Sequence, residues 1–195
     1  MSAIVQKLKR KIINIMPNSF LTGNKIYLRQ IAESDLTENY QSWFNNPEIC
    51  RFNAHHRFPN YKQNMTEYYN SVIKSRNNLI LAIIDKKNNK HIGNVSLQDM
   101  DLINKTAELA IIIGDKFYWG KGVGREALQL IISHGFDSLN LNRVYCGTSE
   151  DNISMQKLAE SIGFIKEGVL RQALYKNGRY QDIINYGLLK DDYRK

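Results

Sequence analysis

From residue 111 to residue 128 the chain reads Ile-Ile-Ile-Gly-Asp-Lys-Phe-Tyr-Trp-Gly-Lys-Gly-Val-Gly-Arg-Glu-Ala-Leu. An apolar β-branched run ends in a turn with glycines at 120, 122 and 124, and the turn opens into a helical pattern. Glycines at alternate positions permit left-handed backbone angles and close approach of a ligand. The N–H groups of such a turn and of the first helical turn converge on one place, where the helix dipole adds positive potential. This is a cradle for an anion, suited to a pyrophosphate.

Two phosphate loops compete for these residues. A Walker loop requires G-x-x-x-x-G-K-[ST], and no Lys-Ser or Lys-Thr pair closes this turn. The dinucleotide spacing G-x-G-x-x-[GA] is met by Gly122-Val123-Gly124-Arg125-Glu126-Ala127, with Glu150 placed to serve as a ribose acid. That fingerprint, however, follows its strand at once and opens a βαβ series. Here 115–121 intervene, and too little chain follows for the remaining units.

The elements that must position this turn follow from periodicity. Residues 25–31 read as a strand, and Glu33-Ser34-Asp35 offers caps for a helix to about Phe44, which Asn45-Asn46-Pro47 breaks. Residues 51–60 are irregular and 61–76 read as a second helix. Leu79–Asp85, His91–Asp101 and Thr106–Ile113 read as strands joined by short polar turns, an antiparallel meander. From Gly124 the period becomes helical, with Ala127, Leu128, Ile131, Gly135 and Leu139 on one face. A strand over 143–148 leads to a helix over 151–162, capped by Asp151 or Asn152 and stopped at Gly163. Two further strands, 164–175 and 180–189, flank the hairpin signal Asn177-Gly178. The expected class is α+β, a mixed and mostly antiparallel sheet flanked by helices, in one domain over 25–195. Residues 1–24 form a basic amphipathic extension in which Ile4, Val5, Leu8, Ile12, Ile15 and Met16 recur at helical spacing among Lys7, Lys9, Arg10 and Lys11. It is expected to pack on its own domain or a second subunit, with peripheral contact to an anionic membrane as its other use.

Composition narrows the partners. The chain has 195 residues, a net charge of +8 and two cysteines, Cys50 and Cys146, that form no C-x-x-C and no metal-ligand spacing. No apolar stretch reaches membrane-spanning length, and no secretory signal pattern opens the chain. A reducing cytoplasm is the expected location. The positive charge attracts anions, but no dense Lys/Arg block with interleaved aromatics predicts a nucleic-acid partner. His55 and His56 read as loop residues, and no metal site is expected.

Taken with this order of elements, two segments resemble the GNAT superfamily of acetyl-CoA-dependent N-acetyltransferases, over about 25–193. Trp119-Gly120-Lys121-Gly122-Val123-Gly124 resembles that family's pyrophosphate loop, [QR]-x-x-G-x-[GA]; Trp119 departs at the first position, where the backbone donors matter more than the side chain. Asn152, followed eleven residues later by Gly163-Phe164, resembles the family's next helix. Arg171 and Gly178-Arg179-Tyr180-Gln181-Asp182 resemble the C-terminal hairpin of the RimJ/RimL-like branch, which acetylates protein N-termini and related amines.

The resemblance implies direct transfer of an acetyl group from acetyl-CoA to a primary amine in a ternary complex. It assigns cofactor binding to Ile111, Ile112 and Ile113, to Trp119, Gly120, Lys121, Gly122, Val123, Gly124 and Arg125, and to Asn152. The amine must be neutral to attack, which requires a base. Glu108 interrupts an otherwise apolar strand, where an interior position raises a carboxylate's pKa towards working pH. Glu150, near the end of the following strand, is the second choice. Many members carry a tyrosine at the position of Ala159 or a serine at that of Met155 to protonate the leaving thiolate; this chain has neither, so that acid is unassigned. The acceptor pocket is expected from the early helices and the C-terminal hairpin, with Trp43, Phe52, His56, Phe58 and Tyr180 foremost and Asn45, Asn46, His55 and Tyr68 beside them. Trp43-Phe44-Asn45-Asn46-Pro47-Glu48 and His91-Ile92-Gly93-Asn94-Val95 look similar to enzymes that modify amino sugars for surface polysaccharides. The expected acceptor is therefore a nucleotide-linked amino sugar. A protein N-terminal amine is the enzymatic alternative, and a non-catalytic acetyl-CoA-binding module is the alternative of another class. Polyamines are disfavoured, since no carboxylate cluster stands out near the early helices. Exposed hairpin edges and an apolar N-terminal segment fit a homodimer.

Overall fold

The computed structural model describes residues 18–193; most of the basic extension lies outside them. In chain order the strands are β1 (Leu21–Thr22), β2 (Ile26–Gln30), β3 (Leu79–Asp85), β4 (His91–Asp101), β5 (Thr106–Ile113), β6 (Arg143–Ser149), β7 (Ile165–Lys176) and β8 (Arg179–Leu189). The helices are α1 (Glu38–Phe44), α2 (Lys62–Lys74), α3 (Val123–Asp137), α4 (Ile153–Ile162) and a terminal turn α5 (Lys190–Tyr193). One sheet contains all eight strands in the order β1-β2-β3-β4-β5-β6-β8-β7. Every neighbouring pair is antiparallel except β5 and β6.

The sheet is covered on both faces, which explains the continuous apolar run of β3. On one face α3 and α4 bury Val123, Ala127, Leu128, Ile131 and Ala159 against Leu97, Ala107, Leu109 and Val144. On the other, α2 lays Tyr69 and Val72 over Tyr27, Ile80, Ala82 and Ile84. A third cluster, Tyr40, Trp43 and Met65, joins α1 to α2. Among the described residues no helix is long and apolar enough to cross a membrane.

Two expectations change. Leu21 and Thr22, read as part of the extension, pair with Leu28 and Tyr27 of β2. The helix expected from Glu33 begins instead after a short 3-10 turn, because Asp35 is consumed elsewhere: its carboxylate takes both arms of Arg29 at 2.6 and 2.7 Å and the Ala32 N–H at 2.8 Å. Thr37 caps α1 in its place, accepting from the Tyr40 N–H. The glycine before the pyrophosphate-like turn has a steric duty. A Cβ at Gly114 would lie inside the Trp43 indole, which is fully buried and has no room to withdraw.

Overpacking of this kind costs ~3 kcal/mol. Gly114→Ala is therefore expected to lower Tm by about 6–12 °C in a thermal melt. An unchanged Tm would mean that Trp43 is free to move.

Candidate active site

The β5–β6 ladder holds only for Thr106–Arg143, Ala107–Val144 and Glu108–Tyr145, and then the strands part. Alternate residues of a strand turn their backbone groups to the same edge. Lys105 gives its carbonyl to Arg143, and Ile113 gives its carbonyl to the Trp119 indole N–H at 2.8 Å, so the odd-numbered residues face β6. The Ile111 N–H and C=O and the Ile113 N–H therefore line an open edge with no strand partner. Ile112 is different: its backbone faces Asn94 of β4. Of the three isoleucines assigned to the cofactor, Ile111 and Ile113 offer main-chain groups and Ile112 offers a side chain on the opposite face.

The glycine turn closes one end of this opening. Gly120 and Gly122 hold left-handed φ of 70° and 80°, and Gly122 is the N-cap of α3 with no side-chain cap. The first intrahelical bond is Glu126 N–H to Gly122 O, which leaves the Val123, Gly124 and Arg125 N–H groups for an outside acceptor. Lys25 and Lys121 flank them: Lys25 Nζ donates to Lys121 O at 2.8 Å, and Lys121 Nζ sits over the Phe117 ring. Three N–H donors at a helix start beside two ammonium groups fit a pyrophosphate. Trp119 acts here by tying the turn to the end of β5. The Arg125 side chain is spent on the Ser161 carbonyl, so only its backbone faces the cradle.

Beneath the other face of β5 lies a cavity of about 390 Å³. Ala110, Ile111 and Ile112 form its floor beside Asn94, Ser96 and Gln98 of β4. Tyr40 and Phe44 of α1, Asn64, Met65 and Tyr68 of α2, and Asn53, His55 and Asn60 complete it. No carboxylate, lysine or arginine is among these lining residues. The 51–60 segment above it is pinned to β7 by Lys176 Nζ on the His55 carbonyl and Arg57 on the Tyr175 carbonyl.

The expected residues fall unevenly around this frame. Glu108 lies on the cavity face of β5, opposite Gln98. Burial, with Asp99 adding its charge, raises its pKa above the ordinary glutamate value. Glu150 is engaged at the hairpin, accepting the Asp182 N–H and facing Arg179 at 3.4 Å. Asn152 uses both ends of its amide internally, capping α4 at Met155 and donating to Thr148. Ala159 is buried in the core. His55 and Tyr68 line the cavity, but the five foremost acceptor candidates do not. Trp43 is sealed behind Gly114, Phe52 packs under Arg51, and His56, Phe58 and Tyr180 face solvent. Sequence reasoning missed Tyr40, Asn60, Asn94, Ser96 and Gln98. A signal existed for the last three: they alternate with Val95 and Leu97, a period-two polar row inside a buried strand.

Known proteins are similar in sequence and fold. A family model of the acetyltransferase (GNAT) domain matches residues 25–165. The N-acetyltransferase p20 of Bacillus licheniformis is 32% identical over 175 residues, covering 89% of this chain and 97% of that one. The spermidine N(1)-acetyltransferase of Vibrio cholerae is 28% identical over 88% of this chain and 96% of its own. The crystal structure of a Vibrio cholerae spermidine N-acetyltransferase with CoA and spermine superposes with a TM-score of 0.81, at 27% identity, over 89% of this chain and 100% of that chain. The ribosomal-protein-serine acetyltransferase of Escherichia coli is 34% identical, over 54% of this chain and 58% of its own.

The cradle makes a prediction of its own. A Cβ at Gly120 meets open space and aspartate tolerates left-handed φ, so Gly120→Asp should fold while placing a negative charge at the anion site. Titration calorimetry is expected to show acetyl-CoA binding weakened ~10-fold, while the strain of a side chain at the left-handed φ of 70°, ~1 kcal/mol, lowers Tm by about 2–4 °C. Undiminished affinity would move the pyrophosphate elsewhere.

Proposed function

Because the chain belongs to the GNAT acetyltransferase family and is an acetyl-CoA-dependent N-acetyltransferase, we propose that it acetylates a primary amine on a hydroxyl-rich, phosphate-bearing small molecule, a nucleotide-linked amino sugar, in the cytoplasm. The cavity carries this reading. Aromatic faces beside uncharged amides and hydroxyls suit a sugar ring and its hydroxyls. A polyamine would bury cationic nitrogens there without a carboxylate against them, at a cost of several kcal/mol on the order of an unpaired buried charge. The spermidine relatives keep that acceptor as the competing reading. A protein N-terminal amine is supported by the RimJ/RimL-like hairpin and by the partial match to the ribosomal-protein enzyme. The net charge of +8 suits a phosphate-bearing acceptor as well as the cofactor.

Acetyl-CoA, when bound, supplies an activated acyl carbonyl and a thiolate leaving group. This chain's residues do the rest. The uncapped N–H groups of Val123, Gly124 and Arg125 take the pyrophosphate. Ile111 and Ile113 offer open-edge backbone groups to the pantetheine arm and the acyl carbonyl. The cavity floor at Ala110, Ile111 and Ile112 brings the amine to the other face of the same strand, which is the positioning that accounts for much of such catalysis. Glu108 stands two residues from Ala110 on the same face of β5, about 7 Å along the strand. Its raised pKa suits it to take the amine's proton.

Thiol release from acetyl-CoA with UDP- and TDP-linked amino sugars, short peptides with free N-termini, and spermidine tests the acceptor. Amino-sugar turnover above the others is expected, and turnover confined to peptides or spermidine would overturn the reading. Glu108→Gln is expected to lower kcat/KM by roughly 100-fold or more while acetyl-CoA still binds. The same variant has a stability signature. The folded protein holds the Glu108 proton more tightly than the unfolded chain, so its contribution is present at acid pH and lost as pH rises through the raised pKa. Glu108→Gln should therefore melt higher than wild type at neutral pH, and the gain should vanish near pH 4. Full activity in the variant would remove Glu108 from the chemistry.

A further inference from the structure

A hydrogen-bonded chain runs through the cavity wall, and a backbone carbonyl fixes its direction. His91 Nε2 lies 3.0 Å from the Gly93 carbonyl oxygen and 2.8 Å from Asn94 Oδ1. A backbone carbonyl can only accept, so Nε2 carries a proton whether the ring is neutral or charged. Asn94 Oδ1 accepts that proton, and Asn94 Nδ2 donates to the Tyr40 hydroxyl oxygen at 3.0 Å. The reversed amide would set its NH2 against the Nε2 proton. The Tyr40 oxygen, having accepted from Asn94, keeps its own proton for another partner.

Tyr40 is a residue of the cavity wall, so the cavity is where a partner for that proton can stand. Tyr40 and Asn94 are 2% and 7% exposed, and both line it. The Asn94 contact is the hydroxyl's only hydrogen bond among the described residues. Burial keeps the phenol protonated well above its ordinary range. The ring of His91 is held from behind by Asp35 Oδ1, 3.6 Å from Nδ1, and by Tyr40 and Trp43 at 5.5 and 5.0 Å. Asn60, another lining residue, has a buried side-chain oxygen with no partner. Two residues of the cavity wall thus hold unspent hydrogen-bonding capacity, the Tyr40 hydroxyl proton and the buried Asn60 Oδ1, and a buried polar atom left so calls for a ligand or water.

We propose that Tyr40 is the specificity-determining donor of the acceptor site, giving its O–H to an oxygen of the amine substrate while Asn60 Oδ1 accepts from a hydroxyl or amine of the same molecule. Asn94 and His91 are positioning residues that set the direction of that bond. The inference rests on the acceptor being an oxygen-bearing amine and deepens that reading.

The test measures kcat/KM by thiol release for the best amino-sugar acceptor and its single-position deoxy analogues, with wild type and Tyr40→Phe. Tyr40→Phe is expected to lose roughly 5- to 50-fold on the parent sugar, in KM, with acetyl-CoA affinity unmoved. One deoxy analogue should show that loss with wild type and no further loss with the variant. Asn94→Asp turns a carboxylate oxygen on Tyr40 and draws its proton away from the cavity; it should reproduce the loss with the hydroxyl still present. A Tyr40→Phe deficit equal on the parent and every analogue overturns the proposal, because Tyr40 would then be wall and nothing more. Should the acceptor panel favour spermidine, which bears no oxygen, the acceptor reading and this proposal fall together. Should it favour a peptide amine, the acceptor reading falls alone. The comparison then runs between that peptide and its analogue lacking the first carbonyl oxygen, and equal variant deficits on the two overturn the proposal.

Discussion

The parallel ladder between β5 and β6 holds for three residue pairs and then opens, and the molecule is arranged around that opening. Each strand is committed elsewhere: β5 pairs with β4 from Gly93 to Gln98, and β6 pairs with β8 along its whole length. The end of β6 is bound further by Asn152 on Thr148 and by Gln156 on the Ser149 and Glu150 carbonyls. The strands therefore part without fraying. The parting leaves main-chain donors and acceptors that water or a ligand must satisfy, at the end of the sheet where α3 begins with an uncapped turn. A ligand with a carbonyl-bearing arm and a pyrophosphate answers both demands at once.

The two faces of β5 divide the labour. Its odd residues send side chains into the core with α3 and α4 and backbone groups to the open edge. Its even residues, Glu108, Ala110 and Ile112, turn to the opposite face, where Ala110 and Ile112 line the cavity. On the proposed function, one short strand presents main chain to the cofactor and side chains to the substrate at adjacent positions, which is what a direct transfer needs. Glu108 also carries a cost. Burial beside Asp99 disfavours its charged form, so the raised pKa on which its proposed role as base rests also weakens the fold at neutral pH.

Behind the cavity wall Arg29, Asp35, His91, Asn94 and Tyr40 form a connected polar chain rather than scattered contacts. Burial works against the Asp35 carboxylate, yet the Arg29 hydrogen bonds and the Ala32 N–H outweigh it and hold its pKa below the ordinary value. For His91 burial dominates over the attraction of Asp35 and lowers the pKa. The neutral ring and the charged ring both keep the Nε2 proton, so the bond direction reaching Tyr40 is the same at any working pH. Buried polar chains are expensive unless complete, and this one ends at the cavity wall.

Local chemistry was legible in the chain. The bounds of β3, β4 and β5 follow from their apolar and alternating patterns, and the cradle follows from the glycine spacing, because strand period and left-handed turns are properties of short segments. The exceptions show the limit. Asp35 looked like a helix cap and became the partner of Arg29; Trp43 looked like a pocket aromatic and became the plug behind Gly114. Periodicity says that a side chain points inward, but not whether the space it meets is filled or hollow. Tyr40, Asn60, Asn94 and Gln98 meet only because α1, a loop and a strand converge, and the direction of the Tyr40 hydroxyl depends on a carbonyl 53 residues away. The sequence by itself determined the strands of the sheet, the left-handed glycine turn that opens α3 and the placing of Glu108 on an apolar strand. The early parting of β5 from β6, the uncharged cavity and the polarity of its wall were decided by tertiary packing, since each depends on which distant backbone groups are already paired.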